Sequence, residues 1–430
     1  MRSSDGPATE TGPRVLLVPG SYPFDNVGDV AMCLVAVARL RAALPGVALR
    51  VYAEHQDLLD ANGLADATAV DERPWFVWTA ALERWQGRFR PGSLHALPDE
   101  HPRRFLRAAR LTGLVRDPAA AAAFLDEVER ADLIVLSGQG SLRDGSDRRS
   151  RRYATLFLVA RSFGVPVVAV GQGIGPLEDR ALADRVGAAL QTLHGLSVRD
   201  PGPSAATAAA LGLAPDRWEV TGDDAISAAL GQAPAAVRDG IGVSLRDNRA
   251  ASVPADLPAA VGRAIAAARP GARVELVSMM EKARPGSVSD ARFLAAVDPG
   301  PDAEVVAHEA TAAAALAALA SCRVVISGTY HAAVFAQSLG VPVIALAASP
   351  YYVQKLGGVL AQFGDEGGTL LDPADPGFEQ DLAAALRRWW DRDAGLADRL
   401  RARAADQAAA GDGFFGERIS GLRLPAPARA

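Results

Sequence analysis

Short apolar, β-branched runs alternate with long Ala/Leu/Arg stretches of helical period along most of this 430-residue chain. Runs at 15–18, 48–51, 133–136, 165–170 and 196–198 occupy the first half, and runs at 241–245, 274–277, 304–306, 323–326 and 343–346 the second. Each is followed by a polar loop and then a segment with helical periodicity. Strands that are apolar throughout, rather than alternating, are buried on both faces, so the pattern predicts βαβ units and parallel sheets covered by helices.

A Gly, Pro and Ala mixture at 231–240, following a strand-like run at 218–221, separates the two sets and reads as a linker. A chain of this length exceeds one ordinary core. The expected architecture is therefore α/β, with two Rossmann-like domains facing a cleft, GT-B-like by analogy. The expected boundaries are a disordered tail at 1–13, a first domain at 14–230 and a second at 241–374. The Leu/Ala/Arg pattern within 375–430 predicts C-terminal helices that cross back onto the first domain, then a tail. Residues 74–101 interrupt the pattern with Trp75, Trp78, Trp85, Phe76, Phe89 and His95. Two readings suit that segment: an amphipathic insertion covering the first domain, and an aromatic platform stacking on the CH face of a sugar.

Composition narrows the partners. Half the chain is apolar (49%) and the formal net charge is -5, so neither nucleic acid nor an anionic membrane is indicated and a small molecule is favoured. The polar N-terminus lacks a signal-peptide core, and no run of about 18 apolar residues follows, which predicts a cytoplasmic chain without a membrane span. Cys33 and Cys322 sit in apolar patterns with no CxxC or Cys/His spacing, so each reads as a buried free thiol; no metal and no cofactor is indicated. Oligomeric state leaves no signal in the sequence.

In open parallel sheets ligands sit beyond the carboxyl ends of the strands, where helix N-termini offer amide donors. After the first run comes Gly20-Ser21-Tyr22-Pro23-Phe24-Asp25-Asn26-Val27-Gly28-Asp29, in which Asn26 and Asp29 can cap a helix and Gly28 permits close approach. Gly138-Gln139-Gly140-Ser141 and Gly171-Gln172-Gly173-Ile174-Gly175-Pro176 follow two further runs. Arg143 and Pro176 stand where a third glycine would be, so no dinucleotide is indicated. The paired glycines suggest instead a floor where backbone amides meet a ligand. Arg199 and Asp200 end the next run, either as an ion pair fixing a loop or as ligand contacts. Asp223 and Asp224, after Gly222, suit a helix cap, a cation or sugar hydroxyls.

The densest constellation is Ser327-Gly328-Thr329-Tyr330-His331, where an apolar run meets a helical segment. That places His331 near a helix N-terminus, whose dipole lowers an imidazole's pKa; a bound phosphate would restore the proton and suit a general acid. Tyr352 and Lys355 open a further helix, with Arg246 and Lys282 after other strands. Such cations at strand ends imply an anionic substrate.

Taken together these loops resemble the polysaccharide pyruvyl transferase family. Five pieces match in order: Asn26-Val27-Gly28-Asp29, Gly138-Gln139-Gly140-Ser141, Gly171-Gln172-Gly173-Ile174-Gly175-Pro176, Ser197-Val198-Arg199-Asp200, and HAAVFAQSLGVPVIAL at 331–346. The resemblance implies transfer of a pyruvyl unit from phosphoenolpyruvate to two hydroxyls of a sugar or glycoconjugate as a cyclic ketal. It also implies that His331 matches the histidine thought to protonate the donor's methylene carbon. Many members carry an arginine two residues before that histidine; here Thr329 stands in its place. Two other readings suit the same fold: a GT-B-like glycosyltransferase using a nucleotide sugar, and a non-catalytic sugar-binding relative.

Overall fold

The computed structural model describes residues 12–88, 93–233, 235, 237–247, 251–280, 288–364, 366–393 and 395–424. The first eleven residues of the expected tail, Phe89, the His95 side chain and Lys282 lie outside the described residues.

Two parallel sheets form the frame. The first joins β1 (Arg14–Val18), β2 (Ala48–Tyr52), β3 (Thr68–Val70), β4 (Leu133–Leu136), β5 (Gln139–Leu142), β6 (Val167–Ile174), β7 (Gly195–Val198) and β8 (Trp218–Val220). Its order is β3-β2-β1-β4-β6-β7-β8, with β5 on β6. The second joins β9 (Gly240–Ser244), β10 (Arg273–Val277), β11 (Glu304–His308), β12 (Cys322–Ser327), β13 (Val343–Leu346) and β14 (Gly368–Leu371) in the order β11-β10-β9-β12-β13-β14. Both orders reverse once, between β1 and β4 and between β9 and β12. A crevice opens at such a reversal, because the connections on its two sides leave toward opposite faces.

The strands differ from their sequence reading at one informative place. Gly171-Gln172-Gly173-Ile174 continues β6 instead of forming a loop, and Gln139–Leu142 is a strand beside it. Gly171, at φ +58°, takes up the bend where the pairing of β6 with β7 shifts register. The strand therefore resumes past a glycine that sequence alone reads as its end.

Trp75 and Trp78 settle one choice for the aromatic segment. Both belong to the helix Arg73–Gln86 and are fully buried, packed against Phe124 and Phe105. Neither ring is available to stack on a sugar. Trp85 sits edge-on to Phe105, with ring centroids 5.3 Å apart.

Two helices tie the lobes together. The helix Val27–Ala43 packs on the first sheet through Cys33, Ala36, Val37 and Leu40, while Val27, Ala31 and Met32 belong to the second lobe's core. The helix Leu396–Ser420 starts in that core at Leu396, Leu400 and Ala404, and ends against the first sheet at Phe414, Phe415 and Ile419. Among the described residues no helix is long and apolar enough to cross a membrane.

Candidate active site

The two switch points face each other, and the residues that leave them meet. From the first lobe, Asn26 caps the helix Val27–Ala43, its side chain accepting from the Gly28 N–H at 3.2 Å and the Asp29 N–H at 3.4 Å. From the second lobe the Met279 carbonyl accepts from the Val27 N–H at 3.1 Å, and Asn26 and Met280 pair as an antiparallel bridge. The N-terminus of the first lobe's leading helix is thus hydrogen-bonded to the far side of the cleft.

His331 is the second residue of the helix Tyr330–Ser338, directly after β12. Its ring lies against the backbone of Gly28: a Cβ at position 28 would stand 1.9 Å from the His331 Cγ. The residue is half-buried, yet Nε2 is sealed from solvent and has no hydrogen-bond partner among the described residues. Burial, followed by the charges of Lys355, Arg199 and Arg246, holds the imidazole well below its ordinary range. The ring is therefore neutral in the unliganded protein. An anion bound among those cations opposes their field: a unit charge about 4 Å away is worth about 4 kcal/mol at an effective dielectric near 20, which favours the protonated ring.

Arg199 explains the paired glycines differently from the sequence reading. Its guanidinium fills the space above Gly173 and Gly140, where added Cβ atoms would meet it at 2.5 and 3.2 Å. The floor is occupied by an arginine. On its other side the Tyr330 ring lies 3.9 Å from Cζ, a buried cation–π contact worth about 2 kcal/mol. Its acidic partner is Asp223 at 3.8 Å and not the adjacent Asp200. Asp200 instead accepts from the Ser204 N–H at 2.9 Å and from the Ser204 hydroxyl. Burial pushes the Asp223 carboxyl up to about 6 against the opposing pull of Arg199. Asp224 pairs separately with Arg39.

More cations complete the ring. Arg246 holds Asp290 through two bonds of 2.9 and 2.7 Å. The Lys355 ammonium sits 5.2 Å from the Tyr330 ring centre, 5.6 Å from that of Tyr351 and 5.5 Å from that of Tyr352. Between the first-lobe residues Gly140, Gly173 and Arg199 and the second-lobe residues Tyr351 and Lys355 there remains a pocket of only about 20 Å³. That is room for about one water. A cavity of about 1010 Å³ lies elsewhere, among Glu83, Asp99, Arg151 and Arg185 on the helices covering the first sheet, and contains none of these groups.

A neutral histidine at a helix N-terminus, ringed by cations at two facing switch points, is equipped to bind an anion and take a proton from its arrival. The family model for polysaccharide pyruvyl transferases matches residues 26–350, most of the chain, including Asn26, Gly28, Arg199 and His331. The chain belongs to the polysaccharide pyruvyl transferase family. It is an enzyme of the transferase class. No curated protein matches it. Among solved structures, Alr3699/HepE of Anabaena in complex with UDP aligns at TM-score 0.57 and 13% identity, covering 95% of this chain and 100% of that one. The UDP-GlcNAc 2-epimerase of Neisseria meningitidis bound to UDP-GlcNAc aligns at 0.55 and 12%, covering 95% and 98%. UGT89C1 of Arabidopsis thaliana complexed with UDP aligns at 0.55 and 13%, covering 95% and 100%. At these identities the likeness concerns the fold, which is GT-B.

For this pyruvyl transferase family member the remaining motif residues divide by what their polar atoms touch. Thr329 is buried, and its hydroxyl shares a 2.8 Å hydrogen bond with that of Ser244 at the end of β9. Ser327 donates to the Thr329 carbonyl at 2.7 Å, and the Gly328 N–H to the Ser244 carbonyl at 2.8 Å; these residues fix the turn that aims His331. Gln172, expected at the substrate, is wholly buried, and its amide donates to the carbonyls of Ser137 and Val170 at 2.9 and 2.7 Å, so its donors are spent on holding β4 to β6. Gly138 makes room for the Met32 sulfur. Ser141 accepts from Arg149 at 3.4 Å.

Arg149 and Arg143 are the residues the sequence reading missed. Arg149 also donates to the Gly20 carbonyl at 3.4 Å and lies close to Asp25 and Asp29. Arg143 stacks 4.0 Å from the Tyr351 ring centre across the lobes. Both follow the Gly138 loop, a position that marks them once the glycines are placed at strand ends; among Arg143 and the four arginines of 148–152, composition hides them.

Proposed function

We propose that this chain moves a pyruvyl group from phosphoenolpyruvate to a sugar diol as a cyclic ketal, with His331 as the proton donor. The single observation that carries the reading is the sealed, unpartnered Nε2 of His331 amid Lys355, Arg199 and Arg246. Family membership supports the reaction class.

The donor's carboxylate and phosphate are held by these cations, and their charge raises the imidazole's pKa until it carries a proton. His331 gives that proton to the methylene carbon, making it a methyl group and leaving the adjacent carbon electrophilic. One sugar hydroxyl adds there and releases its proton. The carbon–oxygen bond to phosphate breaks, the second hydroxyl adds, and the ring closes with loss of its proton. One of the two protons returns to His331 and the other leaves on phosphate. Asn26, Gly28, Asp29 and Arg149 border the acceptor side; Tyr330 and Tyr352 orient the cations. The pocket among Gly140, Gly173, Arg199, Tyr351 and Lys355 has room for about one water, so the donor reaches Arg199 and Lys355 by parting the lobes there. We place the reaction in the cytoplasm, where phosphoenolpyruvate is available.

The test is incubation with phosphoenolpyruvate and a panel of glycan acceptors. Phosphate release with the mass of a pyruvate ketal on the acceptor, both lost in His331→Ala, is the expected result. A protein that ignores phosphoenolpyruvate but is stabilised by a uridine or guanosine nucleotide is a nucleotide-sugar transferase instead.

A further inference from the structure

The exposed face of the helix Pro102–Leu111 has no role in the reaction above. Its inner face, Phe105, Leu106 and Ala109, is buried in the first lobe's core, with Phe105 edge-on to Trp78 at 5.4 Å. Its outer face presents Arg104, Arg107 and Arg110 to solvent, and Arg116 is exposed beyond the following turn. Leu111 is 90% exposed, the most exposed large apolar side chain among the described residues. Arg103, at the helix edge, is tied to Asp126 and Glu129. Among the described residues, Arg104, Arg107, Arg110 and Arg116 make no ion pair.

A net charge of -5 conceals this local excess of cation. Positions 104, 107 and 111 share one side of the helix and span about 10 Å along it. Arginines alone fit any polyanion through charge complementarity. A leucine held out in water among them fits a narrower class: a surface with anionic groups at the top and an apolar layer beneath, into which Leu111 inserts while the guanidinium groups stay at the headgroups.

We propose that the first lobe docks through this face onto a bilayer surface rich in anionic phospholipid. The proposal does not depend on the reaction assigned to His331. It explains how a chain whose described helices cannot span a membrane would reach an acceptor held at one.

The experiment is co-sedimentation of the full chain with vesicles of phosphatidylglycerol and phosphatidylcholine in equal parts, against vesicles of phosphatidylcholine alone. Binding to the first set only, weakening with added salt, is expected. R104A/R107A/R110A together should weaken it on the order of a hundredfold, and Leu111→Ser by roughly tenfold. R104K/R107K/R110K should retain it. All these positions face solvent, so an unchanged melting temperature verifies the variants. No binding to anionic vesicles, or binding unchanged in the triple alanine variant, overturns the proposal. So does equal affinity for polyuridylate together with indifference to Leu111→Ser, which would make the face a nucleic-acid surface.

Discussion

Gly28 and His331, from opposite lobes, are in van der Waals contact through a glycine that has no room for a side chain: the first carbon of one would fall 1.9 Å from the imidazole Cγ. Gly28 lies in the first turn of the helix Val27–Ala43, where alanine is the better helix former, so local propensity favours substitution. The three atoms nearest an added Cβ all belong to the His331 ring, which opposes it. Gly28→Ala should therefore displace His331 and cost at least about a hundredfold in kcat, with a lower melting temperature. Adding His331→Ala to Gly28→Ala should restore the melting temperature. Strictly additive losses in the double-mutant cycle would show that the two positions do not press on one another.

The depressed pKa of His331 fixes the direction of a pH effect. With the native value below the ordinary 6.5, the unfolded chain binds the extra proton. The stabilisation is complete above about pH 6.5 and is lost as pH falls through the native value. Asp223 acts oppositely: its native value of about 6 exceeds the ordinary 3.8, so its contribution is complete below 3.8 and fades as pH rises through about 6. The two partly cancel in the wild type. Melting temperatures of His331→Gln and wild type, measured from pH 8 to pH 5, should separate the terms: wild type should lose stability relative to the variant on acidification. A constant difference would contradict a neutral buried imidazole.

Arg199 is compensated by Asp223 only while that carboxyl is ionised. Below about pH 6 the carboxyl takes a proton and Arg199 is left free to hold an anion. Sulfate, whose charge is constant over this range, should bind about tenfold more tightly at pH 5.5 than at pH 7.5. Asp223→Asn should flatten that dependence, leaving only the part that comes from protonation of His331 as the anion binds. The same pH slope in the variant, read by titration calorimetry, would rule out Asp223 as the controlling group.

Local chemistry was legible in the sequence, and distant pairing was not. The Asn26 cap and the placement of His331 after β12 follow from a side chain, its neighbours and the end of an apolar run. The pairing of Arg199 with Asp223 across the adjacent β8, instead of with Asp200 beside it, depends on where β7 and β8 lie in the sheet. Gly140 and Gly173 read as ligand-facing because glycine reports only that something is close; that it is Arg199 requires the fold. Gly171 read as a strand end because a positive φ and a bulge look alike in sequence. The tryptophans at 75 and 78 give no sign of which face they present until Phe105 and Phe124 are brought over them.

The most direct measurement follows the proton. With phosphoenolpyruvate and a competent acceptor in deuterium oxide, His331 as donor places one deuterium in the methyl group of each ketal formed, seen by mass spectrometry and NMR. His331→Gln should form neither ketal nor deuterated phosphoenolpyruvate. Ketal formed by that variant at the wild-type rate, with its methyl group equally labelled, would contradict the central role of His331.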